Sequence, residues 1–170
     1  ESDEKVLQTA AAIQGAGILL SVDKIVGAPG ESEADRQRDL ALFRRIGPDR
    51  LLTFPLTYFP GTDMVRKGLE AGELTPQEVA DLEHGHLEQR PGQGRLSAEP
   101  EAYRRLLIHM GLIPLLGARE PRLEPLVRLL AKVPGSEILQ PLALAANAVR
   151  TGDHKFTYLL KMAFSEHRVP

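Results

Sequence analysis

Residues 21–35, SVDKIVGAPGESEAD, change character halfway. An apolar, β-branched run stops at Gly-Ala-Pro-Gly-Glu, and a charged stretch with helix-start chemistry follows at once. Ile18 to Val26 is rich in Ile, Leu and Val with little alternation, which suits a strand covered on both faces, as in a parallel sheet. Beyond the turn, Ser32 with Asp35 resembles a capping box, and Leu40, Leu42, Phe43 and Ile46 form an apolar stripe ending at Gly47-Pro48. Leu51 to Tyr58 is a second strand-like run. Strand, short loop, helix and strand thus repeat within the roughly 30 residues of a βαβ unit. Segments 18–26 and 50–57 are therefore expected to be adjacent parallel strands, joined right-handedly through a helix over 32–46. Pro55 fits such a strand only at an edge, a bulge or an end, because it has no N–H to donate.

The flanking segments extend the pattern. Ser2, Asp3 and Glu4 give a capping residue with acidic first-turn neighbours, and Val6, Leu7, Ala10 and Ile13 recur at helical spacing up to Gly15 and Gly17. Phe59-Pro60-Gly61-Thr62 is a second bare loop, with Thr62 placed to cap a helix through about Leu69. Thr75-Pro76-Gln77-Glu78 has the cap, the first-turn proline and the closing glutamate of another short helix, reaching about His84. A polar stretch, EQRPGQGRLSAEP, then separates an α/β region (1–87) from an all-α region (101–170), with 88–100 as linker. Helices are expected over 103–116, 125–133, 138–149 and 156–164.

The chain has 42% apolar and 26% charged residues over 170 positions, the balance of a globular protein with a real core. A formal charge of -2 gives no electrostatic reason to expect nucleic acid or an anionic membrane as partner. No apolar stretch reaches the roughly 18 residues of a membrane span, and no leader pattern opens the chain, so a cytoplasmic protein is expected. The absence of cysteine excludes disulfides, thiolate catalysis and any iron–sulfur cluster held by this chain's own thiolates. Because residue 1 is Glu1, a piece of a longer protein is expected.

A glycine-rich turn between a parallel strand and a helix lets a ligand approach the backbone, and the helix N-terminus offers unpaired N–H groups. Such loops lie at the carboxyl ends of strands, where parallel α/β folds bind ligands. The same Gly27, Pro29 and Gly30 also serve a tight turn and nothing more. The stretch lacks the lysine and spacing of a P-loop and is not a dinucleotide GxGxxG.

Three stretches in order, ESDEKVL, VDKIVGAPGESEAD and LTYFPGTDMVRKGLEAGEL, resemble the second half of radical S-adenosylmethionine (radical SAM) enzymes, the last most like the cobalamin-binding subgroup. The resemblance covers roughly residues 1–85. It implies a partial parallel (β/α) barrel, the carboxy-terminal part of a radical SAM barrel, followed by the all-α tail. It makes Glu1 and Ser2 candidates for contacting the ribose or amino-acid part of S-adenosylmethionine. Ile25, Val26 and Gly27 would pack near the adenine, Gly30 and Glu31 would shape that loop, and Tyr58, Pro60 and Gly61 would line the next. Glu31 serves equally as a first-turn acid that favours the helix start. The family's CxxxCxxC loop, which holds a [4Fe–4S] cluster, has no counterpart here. This chain alone is therefore expected to be inactive, with cluster, any cobalamin and the small-molecule substrate belonging to a parent that supplies a missing amino-terminal half or partner subunit.

The other polar groupings are weaker. His84 and His86 flank Gly85, with Asp153, His154 and His167 further on, but an i, i+2 pair beside a helix end is a poor metal site. Arg104, Arg105, Arg119, Arg122 and Arg128 suit the solvated faces of amphipathic helices. Two other functions fit the same residues: a non-catalytic module packing on a partner subunit, and a small α/β nucleotide-binding domain using the Gly27–Glu31 loop.

Overall fold

A computed structural model of the chain describes residues 2–85 and 99–152. Glu1, most of the expected linker, the helix expected over 156–164, His86, Asp153, His154 and His167 lie outside the described residues. The elements in order are α1 (Asp3–Gly15), β1 (Ser21–Val26), α2 (Glu33–Ile46), β2 (Arg50–Pro55), α3 (Asp63–Glu70) and α4 (Pro76–Glu83), then α5 (Pro100–Leu116), a 3-10 segment (Gly117–Leu123), α6 (Glu124–Ala131), a 3-10 turn (Ser136–Ile138) and α7 (Leu139–Thr151). No helix among the described residues is long and apolar enough to cross a membrane.

The two strands are parallel, in register from Ser21 opposite Arg50 to Val26 opposite Pro55. Their connection is the expected helix. The Ser32 hydroxyl accepts from Asp35 N at 3.2 Å while Asp35 accepts from Ser32 N at 3.0 Å, closing the box, and Gly47 ends α2 in the left-handed conformation. Both strands are shorter than their apolar runs. Ile18 and Leu19 are exposed ahead of β1, and Leu20 N is held by the Asp49 carboxylate at 2.9 Å. Pro55 stands at the last position of β2, where its missing donor costs no ladder bond, and Leu56 N resumes the ladder to Val26 O at 2.9 Å. The fold is thus mixed α/β and mostly helical; among the described residues the two expected strands form a two-stranded parallel sheet, which by itself does not make the expected partial barrel.

Register alternation sorts the side chains onto two faces. Val22, Lys24 and Val26 share one with Leu51 and Thr53, and this face is covered. Val26 and Leu51 are fully buried with Leu40 and Phe43 of α2 and with Leu106, Met110 and Ile113 of α5. Each such side chain stabilises the fold by about 1.5–3 kcal/mol. The helices beyond the expected linker therefore complete the core of the strands. Helix α7 adds Gln140 Nε2 to Thr53 Oγ1 at 2.5 Å and an Asn147 amide bond to Asp49 O. On the other face Asp23, Ile25 and Phe54 are exposed.

Two of the arginines expected on solvated surfaces join parts of the fold instead. Arg104 Nε donates to Ala131 O at 2.6 Å, and Arg105 pairs with Glu33. Arg36, which was not among those expected on the surface, is buried and reaches Glu99 at 2.6 Å, fixing the start of α5 on α2. Thr62 also departs from expectation: its hydroxyl donates back to Phe59 O at 2.8 Å and makes no cap bond to α3.

One polar tie is fully buried. Glu120, with no exposed surface, accepts from Arg44 Nε at 2.6 Å and from His109 Nδ1, linking α2, α5 and the 3-10 segment. His109 Nε2 lies 2.7 Å from Glu124, an ion-pair distance out of line for a hydrogen bond. Burial works against the Glu120 carboxylate, but the bonds and charges of His109 and Arg44 outweigh it and hold its pKa below the ordinary value. A depressed folded-state pKa gives stability that is present above the unfolded value, near 4.5, and is lost as pH falls through the folded value. Urea titrations between pH 6 and pH 3 should therefore show falling stability, and Glu120→Gln should be less stable at pH 6 yet fall less steeply. A variant as acid-sensitive as the parent would show that Glu120 is not the group titrating.

Candidate functional site

Strand β1 ends at Val26 and the first loop begins at Gly27; β2 ends at Pro55 and the second loop follows at Phe59. Because the strands are parallel and Val26 pairs with Pro55, both loops leave from the same end of the sheet. That end is where parallel α/β folds place ligands.

The first loop is clasped from inside. Gly27 and Gly30 adopt φ of 79° and 77°, left-handed values that an L side chain resists. The turn closes through Glu31 N to Ala28 O at 2.9 Å. Glu31 then folds its own side chain back: one oxygen accepts from Gly27 N at 3.1 Å and the other lies 3.1 Å from Lys24 Nζ. Lys24 also meets Asp39 of α2 at 2.5 Å. Burial disfavours the Lys24 ammonium, but its hydrogen bonds to Asp39 and Glu31 prevail and raise its pKa above the ordinary lysine value. A single carboxylate thus fixes the strand end, the loop and the helix start together.

In the second loop, Gly61 takes φ of 72° and Pro60 is exposed. Tyr58 is buried, and its hydroxyl donates to Glu73 at 3.0 Å. The ring lies against α3 where only a glycine fits, since a Cβ on Gly68 would sit 2.8 Å from Tyr58 Cε1.

These positions separate the expected site residues by what they can touch. Ile25 is exposed on the open face and Gly30 on the first loop; Pro60 and Gly61 are exposed on the second. Val26 and Gly27 are buried, with Val26 turned to the covered face. Glu31 and Tyr58 also point inward, shaping their loops from within. Ser2 precedes α1 with its carbonyl accepting from Lys5 N at 3.1 Å, and Glu1 lies outside the described residues. The cavity behind Gly27 is about 10 Å³, room for a single water, and is closed by Arg36, Glu99, Tyr103 and Leu106. Its lining includes nothing from the second loop.

Sequence reasoning missed Phe54. It stands opposite Ile25 in register, and both are about half exposed at the loop end of the open face. Alternation of Leu52 and Phe54 was the available signal. The pair offers apolar ground for a flat ring, with Asp23 and Arg50 further down the same face. Iron–sulfur chemistry finds no ligands here, since the chain has no cysteine. Among the described residues no three His, Asp or Glu side chains are grouped to hold a metal ion.

Comparison with known proteins gives a partial relationship. The chain is 38% identical over 66 residues to tRNA-2-methylthio-N(6)-dimethylallyladenosine synthase from each of two strains of Cereibacter sphaeroides. The match takes in 39% of this chain and 15% of each relative. No family model and no solved structure matches. The relationship agrees in part with the radical SAM resemblance of the three motifs, and neither relative supports the cobalamin-binding subgroup.

Two stability predictions follow from the loops. Glu31→Ala should destabilise by about 1–3 kcal/mol, because it strands the buried Gly27 N–H, whereas Glu31→Gln keeps an acceptor and should cost less. Equal losses in urea denaturation would show that the charge on Lys24 matters more than the loop amide. Gly68→Ala should cost about 1–3 kcal/mol through overpacking against Tyr58, and an unchanged urea midpoint would mean that the ring relocates freely.

Proposed function

We propose that this chain is the carboxy-terminal part of a radical SAM enzyme, supplying two loops of its S-adenosylmethionine site. The observation that carries the reading is the parallel β1–α2–β2 unit with the Gly27–Glu31 and Phe59–Thr62 loops leaving one end of the sheet, in a chain with partial similarity to a methylthio-forming synthase. In this reading the open face, with Ile25 and Phe54, turns toward the ligand, and the adenine packs against that pair. Gly30, Pro60 and Gly61 form the rim. The covered face, with Val26, Leu51 and the helices, is the outside of a barrel completed by further strands beside β1.

The chemistry this chain performs is limited to shaping and binding. A [4Fe–4S] cluster would anchor the amino-acid part of the cofactor and cleave it reductively, and its cysteines would have to come from another segment or subunit. Without that anchor the remaining contacts are too few to offset the entropy of association, so the isolated chain binds S-adenosylmethionine weakly or not at all. Edge pairing at β1 is the accompanying hazard, because an uncovered strand edge recruits other strands. Exposed Ile18 and Leu19, just ahead of β1, add to it.

Reconstitution separates the alternatives. Treated with iron and sulfide, the purified chain should develop no cluster absorbance and should not cleave S-adenosylmethionine. Joined to a polypeptide carrying a CxxxCxxC barrel half, it should do both, and Phe54→Ala should then weaken S-adenosylmethionine binding about tenfold, on the order of the 1.4 kcal/mol that an aromatic contact contributes. Tight binding of S-adenosylmethionine by the monomeric chain would contradict the proposal. Tight binding of a nucleoside phosphate instead would favour a self-contained nucleotide-binding domain.

A further inference from the structure

The buried apolar side chains among the described residues fall into two separate groups. Val26, Leu40 and Leu51 pack with Leu106, Met110 and Ile113 of α5 in the first, which draws on residues far apart in the chain. Leu56, Tyr58, Val65 and Leu82 make the second, with Leu74 and Val79 packed against them. Every member of this second group lies between residues 56 and 82, so one continuous stretch carries a core of its own. A contiguous core is what normally makes a domain move and unfold as one body.

The polar contacts follow the same boundary. Tyr58 bonds to Glu73, Arg66 pairs with Asp63 and Glu70, Thr75 with Glu78, and Gln77 with Asp81, all inside the stretch. Helices α3 and α4 pack on each other, and among the described residues neither supplies a side chain to the first group. The main body is tied differently. Arg36 with Glu99, Arg44 with Glu120 and Gln140 with Thr53 each join parts distant in sequence. The stretch meets the sheet through the chain at Pro55–Leu56 and a ladder bond, Leu56 N to Val26 O at 2.9 Å.

We propose that residues 56–85 form a lid, a separately cooperative unit that swings at the Pro55–Leu56 step. Because the unit carries Phe59 and Gly61, its swing opens and closes the space between the two loops. A hinge needs a short element-terminal segment to absorb the rotation, and the end of β2 is one. A small satellite core also opens at a lower free energy than the main one, as lids must. Closure has apolar surface to bury: Phe59 and Met64 on the unit, and Ile25 and Phe54 at the loop end of the open face, are all exposed. The inference rests on the division of the core and not on the radical SAM reading.

The absence of cysteine lets labels be placed at will. Ala41 of α2, Lys67 of α3 and Ala146 of α7 are all exposed. In the full chain, nitroxides on Ala41→Cys and Lys67→Cys should give a distance distribution roughly twice as wide as nitroxides on Ala41→Cys and Ala146→Cys, both within the main body. Hydrogen exchange gives the second readout. Leu82→Ala should speed the α3 and α4 amides about tenfold or more, up to complete loss of protection, and leave the α5 amides unchanged. Equal widths for the two label pairs would show a fixed unit, and α5 amides sped by the same factor as α3 and α4 would show a single cooperative core. Either result would overturn the proposal.

Discussion

The structure depends on one covered face of one short ladder. Val26 and Leu51 lie side by side on β1 and β2, and α2 and α5 close over them from residues far apart in the chain. Two strands alone would leave that face wet and the pairing marginal, because an isolated pair does not bury enough surface to offset its ordering. Helix α5 supplies Leu106, Met110 and Ile113, so the strands owe their order to residues beyond the polar stretch. The all-α region is therefore part of the same core as the α/β region.

Polar contacts then fix how these layers sit. Arg36 with Glu99, Arg105 with Glu33, and Arg44 with buried Glu120 all run between α2 and the helical region. Breaking any one at a buried position leaves an uncompensated charge, which is costlier than the pair is stabilising. The contacts thus specify one placement of α5 on α2 more than they add to total stability. Glu31 does the same on a smaller scale, tying Lys24, Gly27 and the start of α2 through one carboxylate.

This division of labour changes what the two loops can offer a ligand. Residues that look like ligand contacts by motif, Glu31, Tyr58 and Val26, are committed inward, and the accessible surface comes from Ile25, Phe54, Gly30, Pro60 and Gly61. The first loop is held by contacts within the chain, from Glu31 to Gly27 N and to Lys24. The open face extends from the loop end past Asp23 and Arg50, giving a ligand apolar ground near the loops and charge further in.

Local chemistry made several elements legible in the sequence. The capping boxes at Ser32 and Thr75 and the left-handed stop at Gly47 depend on neighbours three or four residues apart, and each stands where its sequence places it. The parallel pairing of the two apolar runs was legible as well, because a short loop and one helix between two strands permit little else. What the sequence could not determine is whatever depends on contacts distant in the chain. Ile18 and Leu19 have strand-forming side chains but lie outside β1, and Arg104 and Arg105 have the spacing of a wetted face but bond to Ala131 and Glu33. Periodicity reports which side of an element is apolar, whereas the partner of each side is decided by tertiary packing. For that reason the motif singled out Glu31, and only the folded chain shows its carboxylate closing the loop from within.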